Sequence, residues 1–438
     1  MLRSRSKTTE KIKWRERALL GMQEKADSEL VRRQNRRLVL NALRHHGALA
    51  RIELGRSTGL SPASITSIAS QLIAERVIEE LDQAFPLGAS TRRGRPVVRL
   101  GIKPEAAHVL AVNISIDKVG LAIADFNGQI LQRASLHMTT YTAKADSFGD
   151  EVASGIVAFL KTAAFEATDI SRIGIAVQGL ADDKTGRLLW SPAFSAKNIP
   201  LTAPITAKLG VACLIANDAN MIAEGFLADD PRTSRGITAT IFTGYGVGMG
   251  LIIDGKVYLG ATGGASEFGH MNHIPHGAPC RCGRRGCIEA YAADYGIWRE
   301  ANGARDADVP HEAINPALMQ ALLKRAMDGD VKAVQAFEKA GEALGFGIAR
   351  LIAILNPDRI VIAGPGLNAA QIIEPSLHRG VVAGVIEELR KNVSIEFVPF
   401  ETDMILRGNI AALLKAVDGD MAAHGGSHAV RAEHMAIG

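Results

Sequence analysis

The stretch VLAVNISIDKVGLAIADFNGQIL, residues 109–131, contains an apolar run, a short polar break, a second apolar run, an Asn127-Gly128 turn and a third strand. The stretch ITATIFTGYGVGMGLIIDGKVY, residues 237–258, repeats this order and has Asp254-Gly255 as its turn. Asn-Gly and Asp-Gly between apolar runs are strong short-range signals for a β-hairpin. Because strands and helices follow each repeat, the sequence predicts an internally duplicated α/β body with two lobes and a cleft.

Length and composition limit the class of protein. A chain of 438 residues is long enough for two or three domains, and 47% hydrophobic with 22% charged residues is typical of a globular protein with a substantial core. No window approaches the ~18 consecutive apolar residues of a membrane span, and the basic N-terminus lacks the apolar segment of a secretory signal. Four cysteines do not make a disulfide framework. We therefore expect a cytoplasmic protein without a membrane partner.

The charge is divided unevenly along the chain. Residues 1–100 contain 20 Lys and Arg against 10 Asp and Glu, a net charge of +10, whereas the remainder has a net charge of −6. A basic front on an acidic body is expected when one small domain meets a polyanion and the rest of the chain has another role. Residues 1–28 are interpreted only as a basic N-terminal extension.

The basic front contains a helix-turn-helix pattern. Residues 31–46 have a helical pattern with arginines on one side and, on the other, Leu38, Val39, Ala42 and Leu43. A second helical pattern follows at 51–58, and Ser61 and Pro62 suit the N-cap and first position of a third helix. That helix has one apolar stripe, formed by Ile65, Ile68, Ala69, Leu72 and Ile73. Its other face has short hydrogen-bonding side chains that would let it enter a major groove of DNA, and we predict base contacts from Ser64, Thr66, Ser67, Ser70 and Gln71.

A predicted wing follows this helix. Residues 77–81 and 97–102 have strand patterns, and the loop between them contains Arg92, Arg93 and Arg95. Two strands around a basic loop are typical of a winged helix-turn-helix domain, and the alternative is a small three-helix bundle with an ordinary loop. Since the third helix presents no Arg or Lys, we expect these three arginines to supply much of the DNA affinity.

A cysteine cluster is the strongest local signal for a metal site. Cys280, Cys282 and Cys287 lie within eight residues, and the upstream histidines that could supply a fourth ligand are His270, His273 and His276. Thiolates are preferred ligands of zinc, so the spacing predicts a closed structural Zn²⁺ site rather than free buried thiols. Cys213 stands alone in an apolar strand and is interpreted as a packing residue.

The sequence from Glu267 to Glu289, read as Glu-Phe-Gly-His and then Cys-x-Cys-Gly-x-x-Gly-Cys-Ile-Glu, resembles the signature of the ROK family of repressors, open reading frames and sugar kinases. The resemblance extends from about residue 31 to about residue 417, because the winged helix-turn-helix and its Gly-Arg-Pro loop match the transcriptional-regulator branch. It implies a winged helix-turn-helix followed by a two-lobed, actin-like body, with zinc on His270, Cys280, Cys282 and Cys287. It also implies a sugar in the cleft, held by Asn217, Asp218, Glu267, His270 and Glu289.

Departures from the kinase pattern argue against phosphoryl transfer. ROK kinases hold ATP phosphates with an Asp-x-Gly-Gly-Thr loop, but this chain has Asn113, Ser115 and Ile116 there. The second glycine-rich loop, residues 243–250, is intact, whereas the third has become Ala-Gly-Pro at residues 363–365. Asp218, the general base of the kinases, is retained. After Pro192, moreover, this chain has Ala where family kinases often have Asn.

The sequence therefore predicts a sugar-responsive transcriptional regulator, a repressor that binds operator DNA and a small carbohydrate or sugar phosphate. We expect a homodimer or homotetramer. The alternatives are a sugar kinase with an added DNA-binding domain and a zinc sensor, and the sensor is disfavoured because closed four-ligand sites support folding. The predicted divisions are 1–28 extension, 29–103 winged helix-turn-helix, 104–235 first lobe, 236–417 second lobe with the zinc loop, and 418–438 loose tail.

Overall fold

The computed structural model describes residues 31–81, 98–304, 309–310, 312–399 and 401–424. The chain divides into two compact units. Of the described residues, those up to Ala107 and those from Lys415 to His424 form the front unit, and those between His108 and Leu414 form the body. Within the described residues, no helix is both long and apolar enough to cross a membrane.

The front unit has the predicted winged helix-turn-helix architecture. Its β-strands form one antiparallel sheet in the order β1-β3-β2, and β2 pairs with β3 on either side of the predicted wing loop. That loop, residues 82–97 with Arg92, Arg93 and Arg95, lies outside the described residues. The elements are α1 (31–46), β1 (Leu49–Ala50), α2 (Arg51–Thr58), α3 (Pro62–Ala74), β2 (Ile78–Leu81) and β3 (Arg99–Ile102).

Helix α3 begins as the sequence predicts. The Oγ of Ser61 accepts a hydrogen bond from the backbone N–H of Ser64, and Pro62 occupies the first turn. Helix α2 ends at Gly59, whose φ of 72° is the left-handed conformation that glycine adopts without a Cβ penalty. The apolar stripe of α3 packs inward, and its buried members are Ile65, Ile68, Ala69 and Leu72.

Helix α1 differs from the sequence interpretation in which residues it buries. Leu40 is fully buried and Leu38 is 39% exposed, although the pattern assigned Leu38 to the apolar side. Arg36, expected on the solvated side, is buried and its Nη1 lies 2.5 Å from Oε2 of Glu75 at the C-cap of α3. This buried ion pair fixes α1 against the end of the predicted recognition helix.

The body contains two five-stranded sheets. In the first sheet the strand order is β6-β5-β4-β7-β11, and in the second it is β14-β13-β12-β15-β16. The strands are β4 (His108–Ser115), β5 (Lys118–Asp125), β6 (Ile130–His137), β7 (Ile170–Val177), β8 (Leu180–Asp182), β9 (Arg187–Trp190), β10 (Ile199–Pro200), β11 (Cys213–Asn217), β12 (Ile237–Thr243), β13 (Val247–Ile253), β14 (Lys256–Val257), β15 (Arg359–Ala363) and β16 (Ser394–Phe397).

The two sheets share one topology, which confirms the predicted duplication. In each, the first three strands form an antiparallel meander, and the fourth and fifth add in parallel beside the first strand. Both predicted turns form where expected: Gly128 has a φ of 88°, and Asp254 and Gly255 have φ values of 47° and 72°. Two consecutive positive values suit a tight hairpin turn that follows the twist of its strands.

Helices cover the sheets and connect the lobes. Each sheet contributes to its own apolar core, one around β4, β7 and α4, and the other around β12, β15 and α10. The helices of the body are α4 (Phe148–Ala163), α5 (Thr202–Leu209), α6 (Asp218–Asp229), α7 (Glu289–Ala292), α8 (Asp294–Ala301), α9 (Pro316–Met327), α10 (Val331–Leu355), α11 (Ala370–Gly384), α12 (Glu387–Arg390) and the first part of α13 (Met404–His424).

Helix α13 extends further than the predicted loose tail allows. The prediction placed a loose segment at 418–438, but α13 continues to His424 because Val417 and Met421 are buried apolar positions. Asp418 is also buried and accepts two hydrogen bonds from the guanidinium of Arg44 in α1, at 2.7 and 2.9 Å. Residues 425–438 lie outside the described residues.

Helices α6 and α13 cross at very short range within the body. A Cβ added at Gly408 of α13 would overlap the backbone carbonyl oxygen of Met221 in α6, and one added at Gly225 would lie 3.5 Å from the Cα of Gly408. Close backbone approach of this kind requires glycine, because a methyl group would force the helices apart.

We predict that Gly408→Ala lowers the thermal unfolding temperature, because overpacking at a backbone contact costs about 1–3 kcal/mol. Gly419 provides the matched control on the same helix, since no heavy atom lies within 4 Å of the Cβ it would gain. Gly419→Ala should raise stability by up to about 1 kcal/mol through helix propensity. Equal effects of the two substitutions in differential scanning calorimetry would contradict the proposed crossing contact.

Candidate functional site

A cavity of about 270 Å³ lies in the body, between strand ends and loops of the two lobes. It brings together all five residues that the family resemblance assigned to a sugar: Asn217, Asp218, Glu267, His270 and Glu289. Further polar or aromatic lining residues that the sequence interpretation missed are Gln178 and Trp190. Trp190 lies two residues before Pro192, after which this chain differs from the family kinases, and that position was the available signal.

The Asn217-Asp218 pair sits where β11 ends and α6 begins. Asn217 is the N-cap of α6: its Oδ1 accepts from the N–H of Ala219 at 2.8 Å, while its Nδ2 donates to the carbonyl of Gly179 at 2.8 Å. These bonds fix the first turn of α6, so Asp218 is presented to the cavity from a rigid helix end. An ionised carboxylate is favoured there by the positive end of the helix dipole.

Two carboxyl groups of the cavity have raised pKa values. Burial raises the pKa of Asp218 to about 6, and the nearby Glu267 carboxylate adds to that rise. Burial also raises the pKa of Glu267, which the neighbouring His270 partly offsets. Perturbed carboxyl groups that converge on a cavity are typical of a functional site, because folding alone gains nothing from them.

Glu289, the first residue of α7, is buried and firmly held. Its Oε2 accepts from the N–H of Val247 at 3.2 Å, and its Oε1 lies 3.4 Å from the hydroxyl of Tyr295. A Cβ at Gly246 would come within 3.0 Å of the Glu289 Oε2 and of the Gln178 Nε2. Glycine at 246 therefore lets the second glycine-rich loop approach this carboxylate closely.

The predicted metal residues form one cluster beside the cavity. One ligand atom from each of His270, Cys280, Cys282 and Cys287 lies within 4.8 Å of the other three, so this group could hold a metal ion. The Sγ atoms of Cys282 and Cys287 are 3.7 Å apart, and the Sγ of Cys280 is 3.6 Å from Nδ1 of His270. All three are free thiols, as is Cys213, whose pKa burial raises to about 12.

Of the three upstream histidines, the structure brings His270 to the cysteines. His273 instead packs edge-on against the ring of Tyr291, at 5.3 Å between centroids, and His276 is exposed. His270 turns Nδ1 toward Cys280 and has Nε2 3.9 Å from Oε2 of Glu267. Its ring also lies edge-on to Trp190 at 5.5 Å. His270 therefore belongs to both the cysteine cluster and the cavity.

Arg281 connects the cysteine loop to the cavity wall, and sequence reasoning missed this role. Its guanidinium stacks on Tyr245 at 3.7 Å and on Tyr295 at 4.3 Å from the ring centroids. It donates to the backbone carbonyls of Tyr245, Pro310 and Glu312 at 2.6, 3.0 and 3.0 Å. Tyr245 and Ala313, the neighbour of Glu312, both line the cavity. A planar guanidinium with several fixed donors suits such bridging.

The segment that corresponds to the first kinase phosphate loop forms a tight turn here. Ser115 pairs with Lys118 across β4 and β5, and Asp117 has a φ of 51°. The Asp117 Oδ1 accepts from the N–H of Thr140 at 2.8 Å, which fixes the turn. Ile116 lines the cavity and packs against the apolar core of the first lobe. Phe242 of β12, Tyr245 of the second loop and Ile405 of α13 also line the cavity.

The predicted DNA-reading side chains lie on α3 in the front unit. Thr66, Ser67, Ser70 and Gln71 are exposed and Ser64 is half-buried. Gln71 donates to Oε1 of Glu75 at 2.9 Å, and the hydroxyl of Thr66 donates to the carbonyl of Pro62 at 2.8 Å. The hydroxyls of Ser64 and Ser61 are also hydrogen-bonded to each other, at 2.9 Å. The helix thus presents a short polar surface, although three of the five predicted side chains are engaged by the helix itself or its caps.

Residues 109–416 match the sequence profile of the ROK family. The chain belongs to the ROK family. Two curated relatives are similar over most of their length. The DNA-binding transcriptional dual regulator NagC of Escherichia coli K12 is 24% identical over 86% of this chain and 91% of its own. The DNA-binding transcriptional repressor Mlc of the same strain is 26% identical over 88% of this chain and 93% of its own.

Solved structures of the family share the fold. A ROK family transcriptional regulator homologous to Escherichia coli Mlc has a TM-score of 0.71 and 24% identity, covering 92% of this chain and 99% of its own. A ROK family glucokinase from Streptomyces griseus, solved with glucose and AMPPNP, has a TM-score of 0.56 and 25% identity, covering 70% of this chain and 99% of its own. The body therefore has the actin-like fold of the ROK sugar kinases, as the resemblance predicted.

We predict that Asp218→Asn stabilises the protein at pH 7.5 and that the gain is smaller at pH 5. With a folded pKa near 6 against 3.8 for an unperturbed group, Asp218 is charged at pH 7.5 in both states, and burial then penalises only the folded one. Below pH 6 the folded protein takes up the proton first, so the penalty falls progressively and is lost only below the unperturbed pKa of 3.8. The gain at pH 7.5 should be about 1–3 kcal/mol.

Thermal unfolding of both proteins at the two pH values measures this effect. Asp182→Asn is the control, because the pKa shift of Asp182 has the opposite direction. The hydroxyl of Thr185 holds the pKa of the Asp182 carboxyl below its ordinary value. That substitution should not stabilise the protein at pH 7.5. A destabilised Asp218→Asn variant at pH 7.5 would show that the carboxylate contributes to folding instead of function.

Proposed function

We propose that this protein is a sugar-responsive transcriptional repressor that acts in the cytoplasm and binds operator DNA through its front unit. The observation that carries the proposal is the presence, in one chain, of a winged helix-turn-helix and a cavity lined by carboxylates, an amide and an aromatic ring. Carboxylates and amides are the groups that recognise a polyol, and Trp190 supplies an apolar face for a sugar ring. NagC and Mlc, both DNA-binding regulators, are similar over more than 90% of their own length.

The front unit supplies the operator contacts in this proposal. Ser64, Thr66, Ser67, Ser70 and Gln71 of α3 would meet base edges in a major groove, and the buried stripe beneath them keeps the helix rigid. The wing arginines Arg92, Arg93 and Arg95 would supply phosphate or minor-groove contacts. Winged helix-turn-helix proteins act in pairs on palindromic sites, so we assign a homodimer or homotetramer.

The cavity supplies the sensor. Asp218 and Glu267 would accept hydrogen bonds from sugar hydroxyls, because both are carboxylates with few protein partners. Asn217 and Glu289 are held by their own contacts at the cavity wall and would contribute their remaining hydrogen-bonding capacity. His270 would donate from Nε2, provided that Nδ1 faces the metal.

Phosphoryl transfer is not part of the proposed function. The first phosphate loop of the kinases depends on two glycines, and this chain has Ser115 and Ile116 there, both of which line the cavity. The third loop has Pro365, which offers no backbone N–H to a phosphate. Asp218 remains a suitable general base, but a base without a held phosphoryl donor transfers nothing.

We assign Zn²⁺ to the cysteine cluster, with a structural role. A tetrahedral zinc ion with ordinary bond lengths places two sulfurs about 3.8 Å apart and a sulfur and a nitrogen about 3.6 Å apart. The Cys282–Cys287 and Cys280–His270 separations of 3.7 and 3.6 Å fit these values. When bound, zinc would supply fixed geometry and no chemistry of its own. With Nδ1 of His270 as a ligand, Nε2 would be the protonated nitrogen toward the cavity.

The proposal predicts that a sugar weakens operator binding. Operator sequences are first selected from random duplexes, and the affinity of the full chain is then measured by fluorescence anisotropy with glucose, xylose, mannose and N-acetylglucosamine. One of these sugars should weaken binding by about 5- to 150-fold, the usual range of allosteric coupling. Asp218→Asn should remove the response and retain DNA binding. A protein that selects no duplex, or whose binding ignores every sugar in the panel, would contradict the proposal.

Arg95→Ala and Ser70→Ala test the DNA surface in the same assay, and a variant on the body is the control. Arg95→Ala should weaken binding and reduce the salt slope by about one unit. Ser70→Ala should instead reduce discrimination between selected and scrambled duplexes and leave the slope unchanged. Arg379→Ala, on an exposed face of α11 in the body, is the control and should change neither.

The kinase alternative has a direct test. Coupled ADP release should remain at background with ATP and each sugar. Turnover near the ~1–10³ s⁻¹ usual for enzymes would favour a kinase with an added DNA-binding domain.

The zinc assignment predicts about one Zn²⁺ per chain by elemental analysis. Cys282→Ser should lose the metal and lower both the unfolding temperature and the sugar response, because Glu267 and His270 lie beside the same cluster. Cys213→Ser is the matched control: Cys213 lies in β11 and outside the cluster, so this variant should retain metal and response. A metal-free protein with full stability and response would contradict the assignment, and a loss of response under mild chelation with the fold intact would support the zinc sensor.

A further inference from the structure

The charge of the cavity wall limits which carbohydrates can enter. Asp218, Glu267 and Glu289 all line it, and among the described residues that line it there is neither Lys nor Arg. The nearby Arg281 directs its donors to three backbone carbonyls and its flat faces to two tyrosine rings. A phosphate group would therefore meet three carboxylates and no compensating cation, an arrangement that rejects dianions.

A second set of lining residues is apolar. They are Ile116 in the first phosphate-loop segment, Phe242 in β12, Tyr245 in the second glycine-rich loop and Ile405 near the start of α13. The resemblance implies that ROK kinases hold ATP phosphates with two glycines in the first of these segments, where this chain has Ser115 and Ile116. Apolar surface in a cavity with polar groups opposite suits an amphiphilic ligand.

We propose that the effector is an unphosphorylated carbohydrate bearing an apolar group, such as an alkyl or aryl glycoside. The inference rests on the proposed function, since it assumes that a carbohydrate binds this cavity. The hydroxyl groups bind the Asn217-Asp218 and Glu267 side chains, and the apolar group contacts Ile116, Phe242 and Ile405. The cavity of about 270 Å³ has room for one sugar ring with a small substituent.

The test compares three forms of each sugar on the full, metal-loaded chain without DNA. Isothermal titration calorimetry measures the affinity of glucose, mannose and N-acetylglucosamine, of their 6-phosphates and of their phenyl glycosides. The 6-phosphate should bind about a hundredfold more weakly than the free sugar, or not at all. The phenyl glycoside should bind about tenfold more tightly, because the ring buries apolar surface against the isoleucines.

Two variants separate the charge and apolar parts of the proposal. Ile116→Lys places a cation in the wall. It should reduce the ratio of the affinity for the free sugar to that for its 6-phosphate at least about tenfold. Ile405→Ser removes hydrocarbon and should reduce the advantage of the phenyl glycoside over the free sugar about threefold or more. Ile354, 75% exposed on α10, supplies the matched controls: Ile354→Lys and Ile354→Ser should leave both affinity ratios unchanged.

The outcomes distinguish this inference from the proposed function. If a 6-phosphate binds as tightly as its free sugar, or if phenyl glycosides gain nothing, the inference is wrong while the sugar-sensor role stands. If no form of any sugar binds, both the sensor role and the inference fail. The inference is supported if the phenyl glycoside binds more tightly than the free sugar and the 6-phosphate binds more weakly. Each of these affinity ratios should then change in its cavity variant and stay the same in the Ile354 variants.

Discussion

Three carboxylates line one small cavity, and contacts from several elements of the body hold them there against their mutual repulsion. Asp218 stands at the N-terminus of α6, whose dipole favours negative charge, and the Asn217 cap fixes that helix end. Glu289 is tied to the backbone of Val247 and faces the Tyr295 hydroxyl, and Glu267 lies beside His270. The raised pKa values of Asp218 and Glu267 show that burial still disfavours their charge. A polyol that donates to them would relieve part of this cost.

The cysteine cluster and the cavity form one connected structure. His270 contributes a ring nitrogen to each, and Arg281 reaches from between Cys280 and Cys282 to the backbone of Tyr245 and of Glu312. Loss of the cluster would therefore disturb both a direct lining residue and the loops that close the cavity wall. A metal ion held by the cluster would thus influence ligand binding without contacting the ligand.

Local features of the fold were predictable from the sequence, and long-range ones were not. The hairpin turns at Asn127-Gly128 and Asp254-Gly255, the Ser61 cap and the cysteine spacing are encoded within a few residues, so each could be predicted in isolation. The burial of Arg36 depends on Glu75, and the extension of α13 beyond residue 418 depends on Arg44. The family resemblance supplied the five sugar residues, but it gave no signal for Arg281 or for Ile405, whose positions result from packing between distant segments.

The front unit is assembled from both ends of the chain, since α1 contributes Arg44 and α13 contributes Asp418 to one buried ion pair. During synthesis, the ribosome adds residue 44 long before residue 418, and the whole body is translated between them. A nascent chain therefore lacks the carboxylate that Arg44 binds, together with the buried Val417 and Met421, until the body has been translated. The DNA-binding unit is therefore completed only after the sensor has been synthesised. A prematurely terminated product contains the front helices but lacks part of the unit that contacts DNA.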